Sequence, residues 1–160
     1  MNGTALRVWS VWLQAAAAVM LALSAILLLA PSLGLAIFSS VYFFQPEFPV
    51  RLPQAVDAYV RFMHGVLGAV MLGWMVAIIA LARGPFVAGQ RHAWNTMAAS
   101  VGSWFVVDTS FSVLHGVWGN VALNLATALM FAVPLGASRR HFASTSQELH
   151  RNFTQRRNHT

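Results

Sequence analysis

Four long apolar runs divide the chain, separated by short polar stretches. They cover residues 8–30, 58–82, 93–115 and 117–136. A helix needs ~20 mostly apolar residues to cross a hydrocarbon core ~30 Å thick at ~1.5 Å per residue, and each run meets that length. The pattern predicts an all-α fold with four membrane-spanning helices. Residues 33–44 are apolar as well but too few to span alone. Pro31, just before them, lacks a backbone donor, so this stretch either continues the first helix past a kink or lies in the interface. The first run follows Arg7 in the manner of a secretory signal, but it is longer than the ~7–15 residues of a signal's apolar core. A retained helix is expected.

Composition supports the same class. Of the 160 residues, 58% are hydrophobic and only 9% charged, and mean hydropathy is +0.61. Soluble domains carry about 25% charged residues, so this chain cannot cover a water-facing surface. A soluble enzyme and a disordered chain are both excluded. With no cysteine there is no disulfide frame, thiolate nucleophile or cysteine-held metal.

All ten basic residues other than histidine are arginines. Four spans put the N-terminus, the 83–92 loop and the tail on one side, with Arg7, Arg83, Arg91, Arg139, Arg140, Arg151, Arg156 and Arg157. The other side, with the 39–57 loop, holds Arg51 and Arg61. The positive-inside bias therefore predicts both termini in the cytoplasm and the 39–57 loop outside. The tail, 138–160, reads as a solvated basic segment that attracts anionic lipid headgroups. Its basic clusters are short and poor in aromatics, which argues against a nucleic-acid partner.

Polar groups within spans are costly and mark where function would lie. Arg61 and His64 are three residues apart and share a face of the second span. Trp104, Asp108, Ser112 and His115 form a stripe on the third, and Asn120, Asn124 and Thr127 another on the fourth. Counted from the outer edge at ~1.5 Å per residue, Arg61 lies ~4–5 Å deep, His64 ~9 Å and Asp108 ~12 Å. Three stripes at matching depth predict a pocket between spans two, three and four, roofed by the 39–57 loop. Within it, Asp108 is expected to pair with Arg61, whose guanidinium stays charged and offers a bidentate fork. The ridge of Gly65, Ala69 and Gly73 is expected to give close helix packing.

Several functions fit such a pocket. Its polar groups can be glue between helices. It can bind a small amphiphile (a lipid, a quinone or an isoprenoid) with Arg61 or a histidine meeting the head. Asp108 with His64 or His115 can do acid/base work in a small intramembrane isomerase or hydrolase, since an acid in hydrocarbon favours its neutral form. His64 and His115 can ligate haem b, although their depths differ by ~7–8 Å. A nucleophilic triad, a phosphate-binding loop and a zinc-protease motif are missing from the sequence, and no metal site is expected.

Two stretches, RFMHGVLGAVMLGW at 61–74 and WFVVDTSFSVLHGVWGNVALNL at 104–125, give the chain a family likeness. Over residues 8–136 it resembles a group of small four-helix bacterial membrane proteins of unknown function, loosely like the DoxX-type proteins. The resemblance implies an inner-membrane location and a four-helix bundle, and it carries no site residue with it. The expectation is a non-enzymatic membrane protein that binds a lipid-like molecule outward of the bilayer midplane.

Overall fold

A computed structural model of the chain describes residues 2–43 and 52–157, with side chains over 4–42 and 52–142. It is all-helical. Helix α1 runs Asn2–Leu29, α2 Pro31–Phe43, α3 Gln54–Leu81, α4 Arg91–Leu114 and α5 Trp118–Arg157; a π turn, Ala82–Phe86, extends α3. Four of these are long and apolar enough to cross a membrane: Thr4–Leu29, Gln54–Phe86, Arg91–Leu114 and Trp118–Phe142. Their outer surface agrees, with Val11, Val19, Phe62, Val70, Val107 and Phe111 all exposed. So continuous an apolar surface is compatible with lipid and not with water. The chain is a multi-pass membrane protein built as a helical bundle.

The long helices stand in the order α3–α1–α5–α4, each packed along its neighbour. The row curls so that α3 and α4 come opposite each other with little backbone contact. Helix ends define two halves. At the termini end a dry core forms from Leu13 and Ala17 of α1, Met75 and Ile78 of α3, Phe86 of the π turn, Met97 of α4 and Phe131 of α5. At the other end α2 folds over the bundle, touching α1, α3 and α5.

Pro31 explains that fold-over. In a straight helix Leu27 and Gly34 would be separated by seven residues, or ~10 Å of axial rise. Here a side-chain carbon on Gly34 would stand 3.4 Å from the Leu27 Cα. The chain therefore bends sharply at Ala30–Pro31, and α2 folds back over the bundle and does not continue the first span past a kink. At the far end of α2, a side-chain carbon on Gly119 would overlap the Val41 carbonyl oxygen. Only glycine lets α5 begin that close to α2.

Two expectations change. Gly65 and Gly73 have open space where a Cβ would be, and Ala69 is exposed, so the 65–69–73 ridge does not face a neighbour. The close approach is made one position round the helix, at Gly68, where a Cβ would meet the Ser24 carbonyl oxygen at 2.7 Å. The boundary at 137–138 also moves. Ser138 and Phe142 are buried, and Phe142 packs on Phe86 with ring centroids 5.1 Å apart, so the bundle continues past residue 137. Beyond it α5 stays helical to Arg157.

The proline inside α5 is compensated. Pro134 has no N–H for the Met130 carbonyl four residues back. The indole nitrogen of Trp12 donates to that oxygen instead, at 3.1 Å. Near the π turn, the Ser10 hydroxyl donates to the Ala82 carbonyl at 2.7 Å and Arg83 Nε to Gln14 Oε1 at 2.7 Å, tying α1 to α3 at the termini end.

Candidate functional site

Where α3 and α4 diverge, the half of the bundle under α2 encloses a cavity of about 210 Å³. Its walls are Met20 and Leu23 of α1, Phe38 and Tyr42 of α2, Leu67, Val70, Met71 and Trp74 of α3, Trp104 and Asp108 of α4, and Asn120, Leu123, Asn124 and Thr127 of α5. One wall is polar and the rest apolar. Trp74 bridges the gap between α3 and α4: its indole nitrogen donates to Ser100 Oγ at 2.7 Å, and its ring lies 5.7 Å from that of Trp104. Leu67 and Val70 are both lining and exposed, so the cavity reaches the outer surface of the bundle beside α3.

The polar wall is where the stripes of α4 and α5 meet. Ser112 Oγ donates to the Asp108 carbonyl at 2.7 Å, the i−4 bond open to a serine in a helix. With its proton committed, Ser112 accepts from Asn120 Nδ2, also at 2.7 Å. The same nitrogen reaches Asp108 Oδ1 at 3.3 Å. One turn along α5, Asn124 Nδ2 donates to Thr109 Oγ1 at 3.3 Å. Among the described residues no buried side-chain polar atom lacks a partner. Burial pushes the Tyr42 phenol well above its ordinary pKa, and the Asp108 carboxylate facing it adds to the shift. Tyr42 therefore keeps its proton.

Of the nine stripe residues named above, Trp104, Asp108, Asn120, Asn124 and Thr127 line the cavity, and Ser112 is buried behind Asn120. The other three lie elsewhere. Arg61 does not pair with Asp108: its Nε bonds Asp57 Oδ2 at 2.7 Å and its Nη1 the Ser32 hydroxyl. An acid four residues away on the same helix, and a hydroxyl just past the Pro31 bend, are both nearer than a partner across the cavity. His64 turns Nδ1 to the Val60 carbonyl at 2.8 Å and its ring toward Phe38, and it does not line the cavity. His115 is exposed at the end of α4, with Nδ1 on the Phe111 carbonyl at 2.8 Å. The α3 stripe thus faces α2 and the α1 bend, and neither histidine reaches Asp108.

Phe38 and Tyr42 are site residues that periodicity within the spans does not find, because they come from the short helix. Their i,i+4 spacing after a proline is the one signal that a folded-back helix would point both rings the same way. Trp74 is a third such residue; its place in the middle of a span, away from any interface belt, is its mark. The 39–57 roof expected over the pocket is represented by α2, and residues 44–51 lie outside the described residues. Comparisons with protein-family models, curated proteins and solved structures found no match.

Proposed function

We propose that this chain is a non-enzymatic protein of a bacterial inner membrane, akin to the DoxX-type group, that binds a small amphiphile of the lipid, quinone or isoprenoid kind. The head lies against Asp108, Asn120, Asn124 and Thr127, and the tail leaves between α3 and α4. The observation that carries this is the form of the cavity: apolar throughout except for one hydrogen-bonded wall, and reaching the lipid-facing surface at Leu67 and Val70. Sites that enclose a drug-sized molecule measure about 300–1,000 Å³. At about 210 Å³ this one admits a head and a few carbons, and the remaining chain stays in the bilayer, where it costs nothing to leave it. Acid/base catalysis has less support, because Asp108 has no histidine beside it.

The test is to ask what the purified protein carries. Native mass spectrometry from lipid nanodiscs should show an amphiphile on the wild type. Val70 is exposed at the mouth, so Val70→Trp can block entry with little demand on folding. It should lower occupancy about tenfold, equivalent to ~1.4 kcal/mol. Val76→Trp, at an exposed position of α3 outside the lining, should leave occupancy as it is. Equal occupancy in the two variants, or no bound molecule in the wild type, would refute the reading.

A further inference from the structure

The polarity of the wall narrows the ligand. Asn120 spends Nδ2 on Ser112 and Asp108, and Asn124 spends Nδ2 on Thr109. Asn120 thus gives both its amide hydrogens within the wall and Asn124 one of its two, and the acceptors left to a ligand are the Asp108 carboxyl and the amide oxygens, beside the second Asn124 hydrogen and the Thr127 hydroxyl. Among the described residues no arginine, lysine or histidine lines the cavity. Arg61 is held by Asp57 and Ser32, and the described residues place no basic side chain within ion-pair distance of Asp108. An acid in apolar surroundings is costly when ionised unless something positive meets it.

Two pairs of rings complete the cavity. Trp74 and Trp104 lie 5.7 Å apart, and Phe38 and Tyr42 4.8 Å apart. Aromatic rings attract a cation within ~6 Å of their centroids, tryptophan most strongly, and the attraction grows when water is excluded. We propose that the cavity takes the head of a cationic amphiphile, an alkylammonium, with Asp108 as its counter-charge and Trp74, Trp104, Phe38 and Tyr42 around it. The proposal rests on the amphiphile reading and deepens it. A primary ammonium brings three donors and no acceptor, which suits the Asp108 carboxyl and the two amide oxygens. An anionic head would bring only acceptors to Asp108 and the amide oxygens, and an alcohol would satisfy one acceptor without offering Asp108 a counter-charge.

The experiment compares dodecylammonium, dodecanol and dodecanoate, whose equal chains give nearly equal apolar terms. Each is titrated into the delipidated full-length protein in nanodiscs. Quenching of Trp74 and Trp104 emission and native mass spectrometry report occupancy, and Val70→Trp corrects for partition into lipid. Dodecylammonium should half-saturate the wild type at a concentration about tenfold below dodecanol, as a charge-assisted hydrogen bond implies, with dodecanoate weakest. Asp108→Asn should erase the preference between ammonium and alcohol. If dodecanol binds as tightly as dodecylammonium to the wild type, the ammonium assignment is overturned while amphiphile binding stands. If none of the three binds, both proposals fall. The wild-type comparison decides the matter even if the Asn variant does not fold.

Discussion

Asn120 is the residue on which the polar wall depends. It is nearly buried and gives both hydrogens of one amide nitrogen across the α4–α5 contact, to Ser112 and to Asp108. Hydrogen bonds between membrane helices average about 0.6 kcal/mol, because the unfolded segment in lipid finds other partners. Leaving a buried acceptor unmet costs more, about 1–3 kcal/mol. Asn120→Leu keeps roughly the volume and removes both donors, so it should destabilise the bundle by ~1–3 kcal/mol. Arg61→Ala should add to that loss without coupling, because Arg61 is bonded to Asp57 and Ser32 and shares no partner with Asn120. Thermal unfolding in detergent of the two singles and the double checks both parts. A large coupling would mean that Arg61 reaches the wall after all.

At the scale of elements, the faces of α4 and α5 could be read from spacing because their polar residues recur every three or four positions and a hairpin brings them together. The face of α3 could not. Arg61 and His64 do share a side, but which neighbour that side meets is set by how α3 rolls against α1, and the roll is fixed at Gly68, where the helices come closest. A ridge one position away, at Gly65 and Gly73, has the same four-residue period and packs on nothing. Period alone does not separate them. The folded-back α2 is hidden for a similar reason: a mostly apolar segment of thirteen residues that begins with a proline has the composition of either a continued span or an interfacial helix. The difference is testable. Gly68→Ala puts a methyl 2.7 Å from the Ser24 carbonyl oxygen and should cost about 1–3 kcal/mol through overpacking. Gly65→Ala meets open space and should be neutral or stabilising by up to ~1 kcal/mol, the difference in helix propensity. Melting temperatures of the two variants in one detergent provide the comparison. Equal losses would place the α1–α3 crossing elsewhere.

For the whole molecule, the unequal ends of the bundle bear on its orientation. The start of α1, the π turn, the start of α4 and the late part of α5 lie together, as the Arg83–Gln14 bond and the Phe86–Phe142 contact show. Arg7, Arg83, Arg91, Arg139 and Arg140 therefore share one end, with three further arginines following in the chain, while the α2 end has Arg61 among the described residues. Arg61 counts for less than its charge, since Asp57 is bonded to it. Short loops rich in arginine resist translocation, so the termini end should stay in the cytoplasm and the cavity should open in the outer half of the bilayer. Reporter fusions read this directly. A phosphatase, active only after export, should be active when inserted at 48–53 and silent when fused at Thr160, and a fluorescent protein that folds only in the cytoplasm should give the reverse. Changing Arg83 and Arg91 to Ala together should weaken the bias by removing two of the five arginines nearest the membrane at that end, raising the fraction of chains with an exported C-terminus. If the Thr160 phosphatase is active in the unaltered chain, the arginine argument fails and the cavity opens toward the cytoplasmic leaflet. The amphiphile would then have to be drawn from that side.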